Sequence, residues 1–281
     1  MHKLLKGILR APIVNFAIML SILVMAIVGP FIAPHPSNPG DLGCSFIPPF
    51  WSEEGNSRYL LGTDQFGRDI VSRIIHGTRI TIVLSLICIL FGGSVGTMLG
   101  LVSGYFGGIV DTLIMRITDI TLSLPMILIA VLLAAVRGPS YENVIIVVAL
   151  FLWPRYCRQI RGEALVIREH DFVAAARVAG TSPIKIIFKH FFPNVIPTLL
   201  VLMTLQVGYV IILAASLSFL GAGVPPPAPD WGVMVSDGRA LIETAWWISM
   251  FPGLAILITV LAMNNIGDWL RDKLDPKLRQ A

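Results

Sequence analysis

Long blocks of apolar residues divide the chain. Six such blocks cover residues 13–33, 80–104, 120–136, 143–157, 196–221 and 246–266. A helix needs roughly 20 apolar residues to cross a bilayer, and most of these blocks approach that length. None alternates with the period of two that a barrel strand requires, so helices are the structure that satisfies their backbone in lipid. The pattern predicts an all-α membrane protein with six transmembrane helices.

The composition supports this interpretation. Apolar residues make up 55% of the 281 residues and charged residues 14%, whereas about a quarter of a soluble domain is charged. The net charge of +4 could indicate nucleic-acid binding, but the charged residues flank the apolar blocks and form no continuous basic face. A membrane protein that binds no nucleic acid fits both observations.

The first block could belong to a cleaved signal peptide, because Lys3, Lys6 and Arg10 precede it. Its apolar core is longer than that of a typical signal, and no A-x-A cleavage pattern follows it. We therefore expect an uncleaved anchor helix.

The positions of Lys and Arg predict the orientation. With the N-terminus in the cytoplasm, every lysine and most arginines lie on the cytoplasmic side, as the positive-inside rule requires. Both termini are then cytoplasmic (N-in/C-in). This topology divides the chain into an N-terminal tail with the first helix, an outer loop, a five-helix core and a C-terminal tail, over residues 1–33, 34–78, 79–268 and 269–281. The core contains a large cytoplasmic segment, residues 158–194, here termed the inner loop.

The inner loop is expected to hold two short helices. Asp171 can cap a first helix over residues 172–179, and Gly180 then ends it as a C-terminal glycine. Ser182 can cap a second helix, with Pro183 in the first turn, where proline is tolerated.

The second short helix is predicted to cover residues 183–192 and to be amphipathic. Its apolar face would carry Ile184, Ile187 and Phe188, and its basic face Lys185 and Lys189. Such a helix can lie on a lipid surface or dock into a groove of a soluble partner. The periodicity fits both arrangements.

Glycines recur at every fourth residue of the second block: Gly92, Gly96, Gly100 and Gly104. This spacing places them on one helix face, where they allow another helix to approach closely. The face could be a sliding surface, but plain tight packing is the interpretation that we favour.

The chain shows no residues arranged for catalysis or cofactor binding. It has no G-x-x-x-x-G-K-[ST] phosphate loop, no H-E-x-x-H and no G-x-S-x-G. Its cysteines, Cys44, Cys88 and Cys157, form no C-x-x-C pair, so neither a metal site nor an internal disulfide is expected. Ionisable residues at mid-depth of the blocks are nearly absent, which disfavours a stand-alone secondary transporter or channel. A membrane-embedded enzyme is disfavoured because no nucleophile, acid pair or metal cluster is present.

The inner loop resembles the E-A-A-x-x-x-G-(nine)-I-x-L-P segment of permeases in binding-protein-dependent ABC importers. The matching residues are Ala174-Ala175-Ala176-Arg177, then Gly180, then His190-Phe191-Phe192-Pro193. Ala174, His190 and Phe192 depart from the Glu, Ile and Leu of the pattern. In that family the loop forms a coupling helix that seats in the ATPase subunit. The resemblance implies coupling roles for Ala174, Ala175, Ala176, Arg177, Gly180, Pro183, Ile184, Lys185, Phe188 and Pro193.

A second stretch looks like the L-G-T-D-x-x-G-R-D-x-x-S-R signature of the second permease of dipeptide, oligopeptide and nickel importers. It runs from Leu61 to Arg73 and includes Gly62, Thr63, Asp64, Gly67, Arg68 and Asp69. Residues 218–223 and 267–276 resemble further segments of that family, in the family's order. Since the topology places the signature outside, we expect a structural turn there, with local ion pairs among Asp64, Arg68 and Asp69.

The resemblance implies a type I ABC importer permease fold in a bacterial inner membrane, surrounded by lipid. This chain would pair with a homologous permease as a heterodimer. Two separate ATPase subunits would carry ATP and Mg, so this chain would be no enzyme and would bind no cofactor. A periplasmic or lipid-anchored binding protein would deliver the substrate. Dipeptides or oligopeptides are the expected cargo, and nickel or other metal chelates, glutathione and sugars are the alternatives within the family.

Overall fold

The computed structural model describes residues 12–38 and 40–274, and these form helices and loops without a β-strand. The only strand-like pairing in the described residues is an isolated bridge between Thr63 and Asp69. The helices are α1 (Ile13–Ile32), α2 (Ile70–Phe106), α3 (Gly108–Ser123), α4 (Met126–Arg137), α5 (Tyr141–Arg168), α6 (Asp171–Val178), α7 (Pro183–Phe219), α8 (Trp231–Gly238) and α9 (Trp247–Leu274). The all-α prediction is confirmed for this part of the chain. The basic residues of the N-terminal tail and most of the C-terminal tail lie outside it.

Four of the described helices are long and apolar enough to span a bilayer: α1, α2, α7 and α9. A fifth span results if α3 and α4, which meet at an angle of 75°, act as one broken span. Helix α5 has 28 residues, but its second half carries several arginines, so its apolar character alone does not identify it as a span. Six spans therefore require that α5 also crosses the membrane.

Two helices are longer than their apolar blocks predicted. Helix α2 begins at Ile70 and has 37 residues, which is about 55 Å at 1.5 Å per residue. The last part of the predicted outer loop, from residue 70 to residue 78, therefore belongs to α2. Asp69 caps this start, because its side chain accepts a hydrogen bond from the Ser72 amide at 3.0 Å. At the inner end, α7 begins at Pro183 and continues without a break, so the prediction of a separate helix over residues 183–192 is wrong.

The closest helix contact joins α2 and α5. A β-carbon on Gly96 would lie 2.3 Å from the carbonyl oxygen of Trp153, and one on Gly100 would lie 2.7 Å from that of Cys157. All four glycines predicted to share a face lie in this contact: Gly92, Gly96, Gly100 and Gly104. The two backbones can approach this closely only because the glycines have no side chain. The contact is thus tight packing between residues 92–104 of α2 and residues 152–164 of α5.

The segments that the sequence places outside meet at one end of the bundle. The Trp247 indole N–H donates to the carbonyl of Thr63 at 3.0 Å, and the Trp231 indole N–H to that of Ile74 at 3.0 Å. Trp231 is buried, with 2% of its surface exposed. Trp231 is therefore held within the bundle by a hydrogen bond to a residue far away in the sequence.

A buried ion pair holds this outer end together. Asp64 Oδ2 lies 2.7 Å from Arg68 Nε and 3.7 Å from Arg73 Nε, and all three side chains are at most 6% exposed. Arg73 also donates to the carbonyls of Ser37 and Pro227. Charges are costly to bury unless they are paired and hydrogen-bonded, so this network fixes the outer loop, the start of α2 and the segment before α8 together.

The opposite end of the bundle gathers the segments that the sequence places inside. Arg161 of α5 donates two hydrogen bonds to Asp111 of α3, and Ser103 of α2 donates to the same carboxylate. The rings of Phe16 and Trp269 lie 5.4 Å apart, which places the start of α1 beside the end of α9. The two sets of segments thus lie at opposite ends.

We expect Gly96→Ala to destabilise the chain by about 1–3 kcal/mol, because the new methyl group would force α2 away from α5. Thermal unfolding followed by fluorescence-detected size exclusion measures the change. Gly93→Ala is the matched control, since a β-carbon there would lie 3.5 Å from the Tyr156 ring, an ordinary contact. Equal melting temperatures for the two variants would contradict the close backbone contact.

Asp64→Asn should destabilise the outer end by about 3–5 kcal/mol, because it leaves the buried guanidinium of Arg73 without its counter-charge. The same unfolding assay measures this. Asp119→Asn serves as the control: the Asp119–Arg158 pair is about half exposed on both sides, and such pairs contribute about 0–1 kcal/mol. A loss no greater than that of Asp119→Asn would show that the buried network is not what holds this end.

Candidate functional site: the inner loop between α5 and α7

The first short helix of the inner loop is α6, which runs over Asp171–Val178. His170 occupies the cap position and no side chain caps the helix, so the prediction that Asp171 is the cap is wrong by one residue. Asp171 instead lies in the first turn of α6, where its negative charge interacts favourably with the helix dipole.

The corner after α6 is made by Gly180, which has φ of +72°. The Gly180 amide donates to the Arg177 carbonyl at 3.0 Å, and the Thr181 amide to the Ala176 carbonyl at 3.1 Å. These two bonds form a Schellman motif, which ends a helix at a left-handed residue. Since a β-carbon at Gly180 would meet no atom within 4 Å, the backbone conformation alone requires glycine there.

The loop is anchored to the bundle by three buried side chains. Val173, Ile186 and Phe191 have no exposed surface and pack in one cluster with Leu101 of α2 and Ile160 of α5. Any movement of the loop must therefore be shared with α2 and α5.

The start of α7 differs from the predicted amphipathic helix. Ile184 and Phe188 are 70% and 51% exposed, whereas Ile187 is buried, so the predicted apolar face is not the buried face. A π-helical turn over Ile187–Phe191 explains the difference. Its wider spacing turns residues five apart, Ile186 and Phe191, to the same side, where they meet the bundle.

The outward side of the inner loop therefore carries apolar residues that are largely exposed in the described structure. Val178 is 91% exposed, Ile184 70% and Phe188 51%. Two cationic side chains, Arg177 and Lys185, are exposed among them. These five residues are here termed the coupling surface. Apolar side chains exposed on a firmly anchored loop are typical of a protein contact.

The other predicted coupling residues lie on or beside this surface. Ala176 is partly buried. The others are exposed, namely Ala174, Ala175, Gly180, Pro183 and Pro193. Next to Ala174 a groove of about 600 Å³ opens between the loop and the inner end of α2. The Arg177 guanidinium lies in this groove, 5.1 Å from the centre of the Tyr105 ring.

The groove is positively charged. Arg168 and Arg177 line it together with Glu169, and the Glu169 carboxylate lies 3.4 Å from Arg168 Nε. The groove therefore has a net positive charge beside Ala174. Ala174 is the residue at which the resembled pattern has Glu.

The signature residues lie at the outer end, away from the inner loop. Gly62 and Gly67 have φ of +83° and +71°, as tight turns require. Thr63, Asp64, Arg68 and Asp69 are at most 6% exposed. Asp64 pairs with Arg68, whereas Asp69 accepts a hydrogen bond from Ser72 and Thr63 donates one to the Cys44 carbonyl.

Two further carboxylates at this end, Asp230 at the cap of α8 and Asp237 within it, were not singled out from the sequence. Burial raises the pKa of Asp230, although its hydrogen bonds from Ser218, Val233 and Gly232 oppose the shift. Burial likewise raises the pKa of Asp237, against the opposing effect of Arg68 and Arg73. Among the residues that the structure describes, no group of three or more His, Cys, Asp or Glu side chains could hold a metal ion.

Helix α5 extends beyond the fourth apolar block, which ends at residue 157. Arg155 was placed at the inner end of the fourth span, but it occupies the middle of α5, which continues to Arg168. It contacts Tyr209 of α7. The helix-compatible sequence after Cys157 was the signal that could have located Arg155 correctly.

The sequence is similar to known transport proteins. Residues 96–280 match a family described as "Binding-protein-dependent transport system inner membrane component". The chain is 43% identical over 273 residues to the dipeptide transport system permease protein DppC of Escherichia coli, covering 96% of this chain and 90% of that protein. It is 41% identical to the di/tripeptide transport system permease protein DppC of Pseudomonas aeruginosa, covering 94% and 87%. A putative peptide transport system permease of Brucella suis is 39% identical, with 95% and 88% covered.

The fold is similar to that of a solved transporter. The structure aligns with a chain of the MetNI methionine ABC transporter in an inward-facing conformation, with a TM-score of 0.60 and 18% identity. The alignment covers 72% of this chain and 96% of that one. At this identity the likeness concerns the fold. Together with the sequence matches, it shows that the chain belongs to the binding-protein-dependent transport system inner membrane component family and is a permease subunit of such an importer.

Proposed function

We propose that this chain forms half of the translocation path of an ATP-driven peptide importer in a bacterial inner membrane, and that the coupling surface receives the ATPase. The observation that carries the proposal is the exposure of Val178, Ile184 and Phe188 on a loop whose opposite side is buried in the bundle. A soluble partner with an apolar groove would cover these side chains, as in other helix-in-groove contacts.

The proposed topology has six spans with both termini in the cytoplasm. It treats α3 and α4 as one broken span and includes α5 as a span. Two observations support it. The inside and outside segments lie at opposite ends of the bundle, and the four glycines of α2 hold α5 between Leu152 and Ala164. A helix packed so closely on a spanning helix must share its depth in the membrane.

The proposed assembly contains a homologous permease as the other half of the path, two ATPase subunits that hold ATP and Mg, and a binding protein on the outer side. The exposed coupling surface supports the ATPase contact. The positive groove beside Ala174 supports an acidic group on the ATPase there, in place of the glutamate that the family pattern carries on the permease side.

The cargo is proposed to be dipeptides or short oligopeptides. The support is the description of the relatives: three of them, at 39–43% identity over most of the chain, are described as peptide, dipeptide or di/tripeptide permeases. Nickel chelates, glutathione and sugars become outcomes of the uptake test.

The anchoring of the loop suggests how force reaches the spans. Closure of the two ATPases would displace α6 and the start of α7. Because Val173, Ile186 and Phe191 pack against α2 and α5, the displacement would turn these spans and change which side of the membrane the path faces. Packed contacts of this kind transmit small shifts because they do not deform continuously.

The test is reconstitution of this chain with the permease, ATPases and binding protein encoded beside it. Proteoliposomes should accumulate labelled di-alanine only with ATP and binding protein present. Complexes that contain no ATPase, or uptake that does not need ATP, would refute the importer role. Uptake of a metal chelate or glutathione instead of peptide would keep the importer role and change the cargo.

Gly180→Val should reduce uptake at least fivefold while the complex still assembles. A β-branched residue in the left-handed region costs about 1–2 kcal/mol, so the corner would open and α6 would lose its position. Gly180→Asn is the matched control, because Asn tolerates this conformation, and it should transport almost normally. Normal uptake by the valine variant would show that the corner is not needed for coupling.

Val178→Ser with Ile184→Ser should weaken retention of the ATPase on the purified permease at least tenfold, with an unchanged melting temperature of the permease pair, since both side chains are exposed. Val136→Ser, which removes a side chain of 75% exposure on α4, is the control and should retain the ATPase. Full retention by the double variant would place the ATPase contact elsewhere.

A further inference from the structure

Arg155 is a charged residue at a depth where a span normally has none. Gly92 is at the centre of the apolar block over residues 80–104, and it lies opposite Leu152 of α5, with a distance of 3.0 Å from its β-position to Leu152 Cβ. Arg155 follows three residues later, about 5 Å further along the axis. Its backbone is therefore just to the cytoplasmic side of the membrane midplane in the proposed topology.

The guanidinium is exposed and held in place by one aromatic side chain. Arg155 Nη2 donates to the Tyr209 hydroxyl at 2.9 Å, and Cζ lies 4.1 Å from the centre of the Tyr209 ring. Stacking and the hydrogen bond together fix the plane of the guanidinium. Tyr209 thus works as a support that leaves the other N–H donors of Arg155 free.

No carboxylate of the described residues pairs with Arg155. The arginines in ion pairs there are others: Arg68, Arg73, Arg158, Arg161 and Arg168. Arg158, one turn further on the same face of α5, lies 2.5 Å from Asp119, and its charge is balanced. Arg155 alone on this face presents an unbalanced positive charge.

An unbalanced charge at this depth cannot face lipid tails. Ionisable residues in spans face the bundle interior or a water-filled cavity and mark the path of a substrate or ion. Gly162 shares this face and has no heavy atom within 4 Å of its β-position, so the face is open below Arg155. The open face fits one wall of an aqueous path.

An apolar cavity lies on the outer side of this charge. It has a volume of about 370 Å³ and is lined by Ile212, Ser216 and Phe219 of α7 with Val235 of α8. Ile212 is one helical turn from Tyr209, on the outer side. A ligand extending along α7 would therefore meet an apolar surface and then a guanidinium.

We propose that Arg155, held by Tyr209, faces the translocation path and binds the terminal carboxylate of the peptide as it passes, with the peptide's apolar side chains against Ile212 and Phe219. A guanidinium offers a carboxylate two parallel hydrogen bonds, and every linear peptide with a free C-terminus carries that group whatever its side chains. The inference rests on the proposed function, because it assumes the six-span topology and a peptide cargo.

The first test uses the complete transporter in proteoliposomes. Arg155→Gln should lower the maximal rate of di-alanine uptake at least tenfold, and Arg155→Lys should recover part of it because the charge is kept. Tyr209→Phe should lower it about threefold. Arg158→Gln is the matched control on the same face and should change it less than twofold. An unchanged rate for Arg155→Gln would overturn the inference, as would release of the second permease from that variant on size exclusion.

The second test measures access to water. In a chain with Cys44, Cys88 and Cys157 replaced by serine, Arg155→Cys should react with a charged methanethiosulfonate reagent added on the cytoplasmic side, whereas Leu128→Cys on α4 should not. In the same cysteine-replaced chain with Arg155 kept, di-alanine should slow labelling of Ile212→Cys in the apolar cavity at least threefold, and its C-terminal amide should not. No reaction at position 155, or equal protection by the amide, would overturn the inference.

The two failures can be told apart. If the wild-type complex takes up no peptide at all, the proposed cargo fails, and the labelling of Arg155→Cys still reports whether residue 155 lies in the path. If the wild type transports di-alanine while Arg155→Gln does so equally well, the cargo stands and the role of Arg155 fails.

Discussion

The contact between the backbones of α2 and α5 is the constraint on which the rest of the structure depends. It is set by four glycines that admit carbonyl oxygens and β-carbons of α5 where side chains would normally stand. In lipid there is no hydrophobic gain from joining two apolar helices, so association relies on close packing of this kind. The contact joins α5, with its arginines, to the long apolar helix α2.

The outer and inner ends of the bundle are both built on the pair formed by α2 and α5. At the outer end the start of α2 supplies Arg73, the centre of the buried ion network with Asp64. At the inner end α2 supplies Leu101 and α5 supplies Ile160 to the cluster that holds the inner loop. A displacement of the inner loop would therefore also displace α2 and α5, the same two helices that support the outer end. This continuity is what a permease needs if an event in the cytoplasm is to open or close a path on the other side.

Features that depend on local chemistry could be predicted from the sequence. The left-handed corner at Gly180 follows from a glycine after a helical run, and the ion pair of Asp64 with Arg68 follows from their spacing in a turn. The glycine face of α2 follows from a period of four. Each needs knowledge only of nearby residues and of a helix period.

Features that depend on contacts between distant parts of the chain could not be predicted from the sequence. Trp231 after a proline run is typical of an interfacial anchor, but its partner, the Ile74 carbonyl, lies 157 residues away. The buried face at the start of α7 is decided by a π-helical turn, which the regular helix period does not contain. Arg155 was placed near the end of a span because composition changes there, while the glycine contact with α2 carries α5 well beyond that point.

In the proposed six-span topology, the arginines of α5 explain why hydropathy and length alone identify fewer spans. A helix that faces lipid on one side and a path on another cannot be uniformly apolar, because the path must accept a polar solute. Arg158 has its charge balanced by Asp119, and Arg161 by Asp111, so these two charges are tolerated by pairing within the bundle. Arg155 contacts the hydroxyl group and the ring of Tyr209 instead of a carboxylate. In the proposed role of Arg155, the carboxylate of the transported peptide completes the ion pair and so offsets the cost of holding that charge in the membrane.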